Sequence, residues 1–590
     1  MFRKLLASCG VAACGLLAAP ALAQQPSFQL VVRAPNELRT MLERHLELRR
    51  YQQVTDLDDA EISRLLVLAE KDARELLATQ GHFVPTIRIT REGANPPTLV
   101  VEVEPGPVAK ISGVELEFMG DIATSTERDA VTQREGIRKD WSLPAGQGFT
   151  QQNWQSAKAN AMRALLARRY PAAQIADSLA DVDASTQRVG LGVKLDSGAV
   201  FHLGPMRVTG IERYDPVLLP RLARLAEGSI YDQERIVQAQ LRLTGSGYFD
   251  SAFIFIDPQS DPAAAPVQVT VREAPLQKVV LGLGFSTDGG ARASVEHTHN
   301  RFPVVGWRAV TKLQAEQKSP FAQTEWTSIP GEDGWRWAVQ ARGERLDDDR
   351  LVTLSQRLRL GRLRAEDRID RNVYVQYEHT TTLNPRNVVL SPLETGAGSA
   401  VSANYVWQGR YFNDKTYPTA GHGLGFELGA GLTLAGDHSI FQRTLLRGLQ
   451  FRPLEHGRLQ FRAELGAVFA RKAALLPATQ LFRTGGDTTV RGYRFQEIGI
   501  PLPGGVVGPG RYLAVGSVEW QRPLPRWAGL EHTVFVDAGA VADRVGELHP
   551  QAAVGTGARY RSPVGPLDVA IAYGIKTRKF RLHFNAGFLF

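Results

Sequence analysis

Arg458-Leu459-Gln460-Phe461-Arg462-Ala463-Glu464-Leu465-Gly466-Ala467-Val468-Phe469 alternates: Leu459, Phe461, Ala463, Leu465, Ala467 and Phe469 form one set, and Arg458, Gln460, Arg462, Glu464, Gly466 and Val468 the other. A period of two puts these sets on opposite faces of a β-strand, one apolar and one carrying charge. The pattern recurs outward from this segment. Val373, Val375 and Tyr377 alternate with Asn372, Tyr374, Gln376 and Glu378, and Trp335, Trp337, Val339 and Ala341 with Arg336, Ala338 and Gln340. In a soluble sandwich the apolar face meets a second sheet, so alternation alone leaves two architectures open.

Three further features favour a membrane barrel. The segments run about 9 to 11 residues and their apolar faces are tipped with Trp and Tyr, as tilted bilayer-crossing strands require. Positions 278 to 590 number 313 (590 − 278 + 1), which at about 20 residues per strand plus connection gives roughly 16 strands, too many for one sandwich. The last residues, Phe580, Leu582, Phe584, Ala586, Phe588 and Phe590 alternating with Arg581, His583, Asn585 and Gly587, suit the closing strand of a barrel. Only closure satisfies the backbone in lipid. Composition agrees: 590 residues with 43% hydrophobic and 22% charged side chains exclude disorder as the main state. A mean hydropathy of −0.19, with no internal run of about 18 uncharged apolar residues, argues against a bundle of spanning helices.

The first 23 residues read as a secretory signal: Arg3 and Lys4, an apolar stretch over 5–17, then Ala21-Leu22-Ala23. A lipoprotein signal acylated at Cys14 is the alternative, but it leaves a shorter apolar region. Both cysteines, Cys9 and Cys14, lie in this segment, so a mature chain starting at residue 24 has no thiol for disulfides, zinc or catalysis. Without Arg3 and Lys4 the net charge falls from +8 to +6 (8 − 2), too dilute to imply nucleic acid.

Between 28 and about 275 the pattern alternates helix and strand. Leu38, Met41, Leu42, His45 and Leu46 follow one helical face; Leu65, Ala69, Asp72, Ala73, Leu76 and Leu77 follow another with one polar interruption. The unit repeats. Gly81-His82-Phe83, Arg169-Tyr170-Pro171 and Gly247-Tyr248-Phe249 each lead into strands, with spacings of 88 (169 − 81) and 78 (247 − 169) residues. Short opening strands at 28–32, 111–118 and 206–208 complete a β-α-α-β-β order, three times over. The middle turn lacks the glycine, which makes its geometry uncertain from sequence.

Phe482, Gly485 and Gly486 precede Val490-Arg491-Gly492-Tyr493; Phe535-Val536-Asp537-Ala538-Gly539 follows; then come Gly555-Thr556-Gly557-Ala558-Arg559-Tyr560 and Ser562-Pro563-Val564-Gly565-Pro566-Leu567; Tyr417-Pro418 with Gly421 lies upstream. In this order these segments resemble the VRGY loop, the F-x-D-x-G strand, the late strand pair and the mid-barrel Y-P-x-x-G turn of the outer-membrane assembly-factor superfamily (BamA/TamA-like). The resemblance implies an α+β fold of three polypeptide-transport-associated (POTRA) domains at 24–107, 108–199 and 200–275, before an antiparallel transmembrane β-barrel of about 16 strands at 276–590. Three soluble units are most similar to the TamA branch; the central insertase has five, and two-partner secretion transporters have two behind a plug helix. It implies an outer-membrane location with the N-terminal domains in the periplasm.

Residue parity adds its own reading. Asp537 shares a strand face with Phe535 and Gly539, opposite Val534, Val536 and Ala538, so it faces the lumen as the preferred partner of Arg491, with Glu519 second. The seam between the first and last strands is expected to be weak, because Gly282, Gly284 and Gly587 thin its packing; a bend at Gly587 could turn the end at Phe590 inward and leave part of the first edge unpaired. Residues 504–510 lack the ending of a phosphate loop, and 421–425 lack a following helix. Glu296, His297 and His299 offer no clear third metal ligand, and the two histidines read as a lumen-facing pair. Asp347-Asp348-Asp349 reads as a solvated loop tip. The expectation is therefore a non-enzymatic assembly factor with no cofactor, metal or catalytic residue. The resemblance implies that it acts on unfolded autotransporter-like outer-membrane proteins in contact with outer-membrane lipid, alongside an inner-membrane-anchored TamB-like partner. The alternatives are a passive porin or an exporter of one dedicated exoprotein.

Overall fold

A computed structural model describes residues 27–54, 57–93, 96–383, 388–414, 417–562 and 565–589; the expected signal segment and Phe590 lie outside them. Three small α/β repeats come first, and their three-stranded sheets share one strand order, with the last strand in the middle. In the first repeat Gln29–Arg33 pairs parallel with Thr98–Glu104, which pairs antiparallel with Thr86–Glu92. Helices Asn36–His45 and Asp59–Thr79 cover one sheet face, burying Leu42, Leu46, Leu65, Ala69, Ala73 and Leu77 among Leu99, Val101 and Val103. The longer helix starts where the Asp58 carboxylate accepts the Glu61 N–H at 2.7 Å, satisfying a donor that the helix leaves free. Asp72, the polar interruption, accepts the Glu47 N–H at 2.7 Å and so ties down the intervening turn.

The second repeat places Lys110–Met119 parallel to Arg188–Asp196, with Gln174–Asp183 on the other side. Its turn keeps the form of the other two without their glycine: Arg169 has φ 65°, against 85° at Gly81 and 79° at Gly247. A non-glycine residue there costs about 1–2 kcal/mol. Several contacts hold it: Arg169 is 4% exposed, its N–H donates to Tyr231 O, its carbonyl accepts from Phe201 N, and its guanidinium meets Glu127 at 2.6 Å. The third repeat comprises Leu203–Thr209, helices Leu218–Ala223 and Gln233–Gly245, and strands Phe249–Ile256 and Ala265–Glu273.

The chain divides into two compact units. One takes the chain up to Pro205 with Glu227–Glu234 and Ile256–Pro266; the other takes Met206–Ala226, Arg235–Phe255 and Val267–Phe590. Within the second unit, the helices and turn of the third repeat are clamped to the barrel rim. Arg242 pairs with Asp367 at 3.0 Å, Arg308 donates to Ser246 O at 3.0 Å, and Arg221 donates to Pro330 O at 3.1 Å.

Sixteen strands, from Gln277–Ser286 to Lys579–Leu589, form a closed barrel in which sequence neighbours pair. No helix among the described residues is long and apolar enough to cross a membrane; the barrel crosses with strands. Its outer face carries the apolar set read from the sequence: Trp337, Val339, Val373, Val375, Leu465 and Phe469 are all exposed. The opposite set includes the buried Glu378, Glu519, Gln521 and Asp537. Alternation therefore reports lipid outside and a polar lumen inside.

Three expectations are corrected. His297 and His299 do not face the lumen. They share strand parity with exposed Val295, and His297 lies opposite exposed Val279, which places them on the outer face, where the His299 ring sits 5.5 Å from that of Phe302. Asp348 is no solvated tip: its side chain is 5% exposed and paired with Arg483, while it also accepts the N–H groups of Arg350 and Leu351. At the seam the ladder runs without a register shift through Gly284↔Gly587 to Gly282↔Leu589, so the chain does not bend at Gly587. Leu283 faces Phe588 across the seam, while Leu582 lies opposite Ile571 on the other side of the last strand. A period of two fixes faces but leaves even register shifts open.

Candidate functional site: the inward loop and the barrel seam

Between strands Gly457–Ala470 and Tyr512–Pro523 the chain leaves the wall for some forty residues and folds back into the lumen, where its ends and middle are pinned to several strands. Thr479 and Gln480 donate to the buried Glu378, and Arg483 reaches Asp348. Arg462 from the wall donates to the carbonyls of Thr488 and Thr489. A buried cluster of Phe441, Leu445, Val468, Phe482, Val490, Tyr493, Ile498 and Val515 packs the loop to the wall.

Arg491 is the centre of this arrangement. Its Nε donates to Asp537 Oδ2 at 2.7 Å and its Nη2 to Asp537 Oδ1 at 3.0 Å, a bidentate pair, while its own backbone N–H reaches Oδ2 at 3.1 Å. Nη1 donates to Glu519 Oε2 at 2.6 Å. The guanidinium carbon lies 3.2 Å from the centroid of Phe535, so one face of the cation rests on an aromatic ring. Ser517 donates to Asp537 and Gln521 to Glu519, and Arg559 stands 3.6 Å from Glu519. Two fully desolvated carboxylates around one guanidinium are tolerable only with such pairing.

The neighbouring motif residues complete the fit. Tyr493 donates its hydroxyl to Ala552 O at 3.0 Å, and the Gly492 N–H donates to His583 Nε2 at 2.8 Å. Val490 is fully buried, and its seat explains Gly539: a Cβ on Gly539 would lie 2.6 Å from Val490 Cγ2. The three spaced residues of the 535–539 segment thus each serve the loop, the ring under Arg491, the carboxylate beside it and the space for Val490. Parity located Asp537 and Glu519 from sequence. It gave no access to the partners of Gly539, Asp348, Asp487 or His583, which the loop's path sets.

The seam is the thinnest ladder in the barrel among the described residues. Five pairs, Gly282↔Leu589 to Ser286↔Asn585, join the first and last strands, against seven or more at every other interface. Among the described residues, Gln277–Leu281 have partners only on Gly290–His299. Phe285 and Phe584 meet across the seam with ring centroids 5.9 Å apart.

The Omp85 superfamily domain matches residues 278–590, more than half of the chain. The chain belongs to the Omp85 superfamily. Among solved structures, BamA from Haemophilus ducreyi lacking POTRA domains 1–3 aligns over 82% of this chain and 100% of its own, at 18% identity and a TM-score of 0.57. CdiB from Acinetobacter baumannii aligns over 91% of this chain and 100% of its own, at 13% identity and a TM-score of 0.48. The protein is thus an Omp85-type outer-membrane barrel preceded by three POTRA-like units.

Proposed function

We propose that this Omp85 protein is a non-enzymatic outer-membrane assembly factor that promotes insertion or secretion of autotransporter-like proteins. Its POTRA units extend into the periplasm and the first of them engages an inner-membrane-anchored TamB-like protein. The observation that carries the reading is the seam. A short ladder, with Gln277–Leu281 unpaired by the described residues of the last strand, presents backbone donors and acceptors to a substrate strand, which needs no particular side chains to add there. The three repeats, as opposed to two or five, support the TamA-like branch. Their sheets also end on edge strands such as Thr86–Glu92, suited to holding extended chains. The porin alternative is disfavoured by the inward loop, whose anchors at Glu378, Asp348, Arg462, Glu519 and Asp537 lie on separate strands or turns of the wall. Reconstitution tests both. Vesicles holding the protein should accelerate folding of an autotransporter barrel and show low conductance; a large stable conductance with no acceleration would establish the porin.

A further inference from the structure

One group of contacts joins the inward loop to both sides of the seam at once. Asp487, at the tip of the loop, meets the turn after the first strand: its N–H donates to Asp288 Oδ2 at 2.5 Å, and Oδ2 accepts the Asp288 N–H at 3.3 Å. Its Oδ1 accepts Nδ1–H of His583, on the last strand, at 2.5 Å. Thr287 ties the same two edges directly, since its N–H donates to Phe584 O at 2.9 Å and its hydroxyl accepts the Phe584 N–H at 2.7 Å.

The donor pattern fixes what this cluster is. Asp288, Asp487 and His583 offer three ligand atoms within 4.8 Å of one another. Yet the Gly492 N–H points at His583 Nε2, so that nitrogen must accept and the ring proton sits on Nδ1, facing Asp487. A metal on Nδ1 would put a proton on Nε2, against the Gly492 donor. The groups are consumed by each other, and His583 acts as a bridge with a loop residue on each ring nitrogen. Gly486, at φ 110°, leaves room for the approach: a Cβ there would lie 2.2 Å from Asp288 Oδ2.

We propose that Asp487 is a latch that makes seam opening and loop release one coupled step. The last strand cannot move away from the first hairpin without breaking Asp487 from His583 or from Asp288, and Gly492 is adjacent to Arg491, so the same movement pulls on the Arg491–Asp537 anchor. Coupling is reciprocal: freeing the loop at Arg491, which touches neither seam strand, loosens the seam. The latch deepens the seam reading given above and rests on it for its purpose, but not for its test.

The test is run on the full protein in vesicles without substrate. A single cysteine is placed at Ala586, which is 5% exposed in the closed seam and faces Phe285, and its labelling by a membrane-permeant maleimide reports the open population. Asp487→Ala should speed labelling about tenfold, Asp487→Asn less, and Arg491→Ala several-fold. The double variant Asp487→Ala/Arg491→Ala should label no faster than Asp487→Ala alone. Asp487→Asn covers the case in which the alanine variant fails to fold. Unchanged labelling in folded Arg491→Ala, or multiplied effects in the double variant, would overturn the latch. Loss of the seam reading is a separate outcome, full substrate assembly with the seam covalently locked, and would leave the labelling result standing.

Discussion

Arg491→Ala removes a guanidinium bonded to both Asp537, 0% exposed, and Glu519, 2% exposed. Breaking a buried pair costs about 3–5 kcal/mol, because the remaining charge is stranded. Here the low end applies: Asp537 retains Ser517 and the backbone N–H of residue 491, and Glu519 retains Gln521 and Arg559. Asp537→Ala costs less, about 2 kcal/mol, since Arg491 keeps Glu519 and the Phe535 ring. If the bidentate pair is real, the double variant costs about 3 kcal/mol and not the sum of about 5, a coupling of about 2 kcal/mol, within the range for contacting charged groups. The assay is guanidinium unfolding of the barrel in lipid vesicles for the four members of the cycle, with Arg491→Lys as a fifth. The lysine variant should lose more than half of the coupling, because an ammonium cannot reproduce the fork. Additivity to within about 0.5 kcal/mol would refute Asp537 as the residue that seats the loop.

Gly539→Ala should destabilise the barrel by about 1–3 kcal/mol through overpacking against Val490, and Val490→Ala in the same chain should recover part of that; equal losses in the single and double variants would show that the glycine serves something else. Burial first, and then the Asp487 carboxylate, push the Asp288 carboxyl, in the turn beyond the first strand, up to about 6. A carboxyl raised above its unfolded value of about 4 contributes stability that is fully present below pH 4 and lost as pH rises through about 6. Asp288→Asn should therefore hold the closed state better than the parent at pH 7.5, with the difference shrinking by pH 5; Asp487, Lys318 and the His583 ring also face Asp288 and are present in both proteins. A difference independent of pH would contradict this. Deleting residues 26–107 should abolish co-purification of the inner-membrane partner and leave barrel folding intact, and undiminished pull-down would remove the first repeat as its docking site.

The barrel was legible in the sequence because lipid outside and water inside impose alternation on strands such as Gly457–Ala470. The repeats were legible because each small core needs the same helical faces and the same turn. Asp537 could be assigned to Arg491 because parity puts it on the lumen face, with Glu519 named second. What stayed hidden depends on chain path. Asp487 bonds to His583 96 residues away and to Asp288 199 residues away, and Arg483 to Asp348 135 residues away, distances at which no periodicity speaks. The acidic run at 347–349 looked solvated because charge runs usually are; one of the three is consumed by the returning loop. Arg169 shows the limit of reading turns from glycine alone, since burial and an ion pair hold an arginine in the left-handed region.

The most direct test of the account is covalent closure of the seam. Cysteines at Phe285 and Ala586, directly opposed across the ladder, are introduced into a chain whose native cysteines, Cys9 and Cys14, both lie within its first 23 residues. The oxidised protein is purified with its cross-link verified, placed in vesicles, and assayed for assembly of an autotransporter barrel before and after reduction. The account predicts that assembly stops in the cross-linked form and returns on reduction; full assembly by the cross-linked form would contradict it.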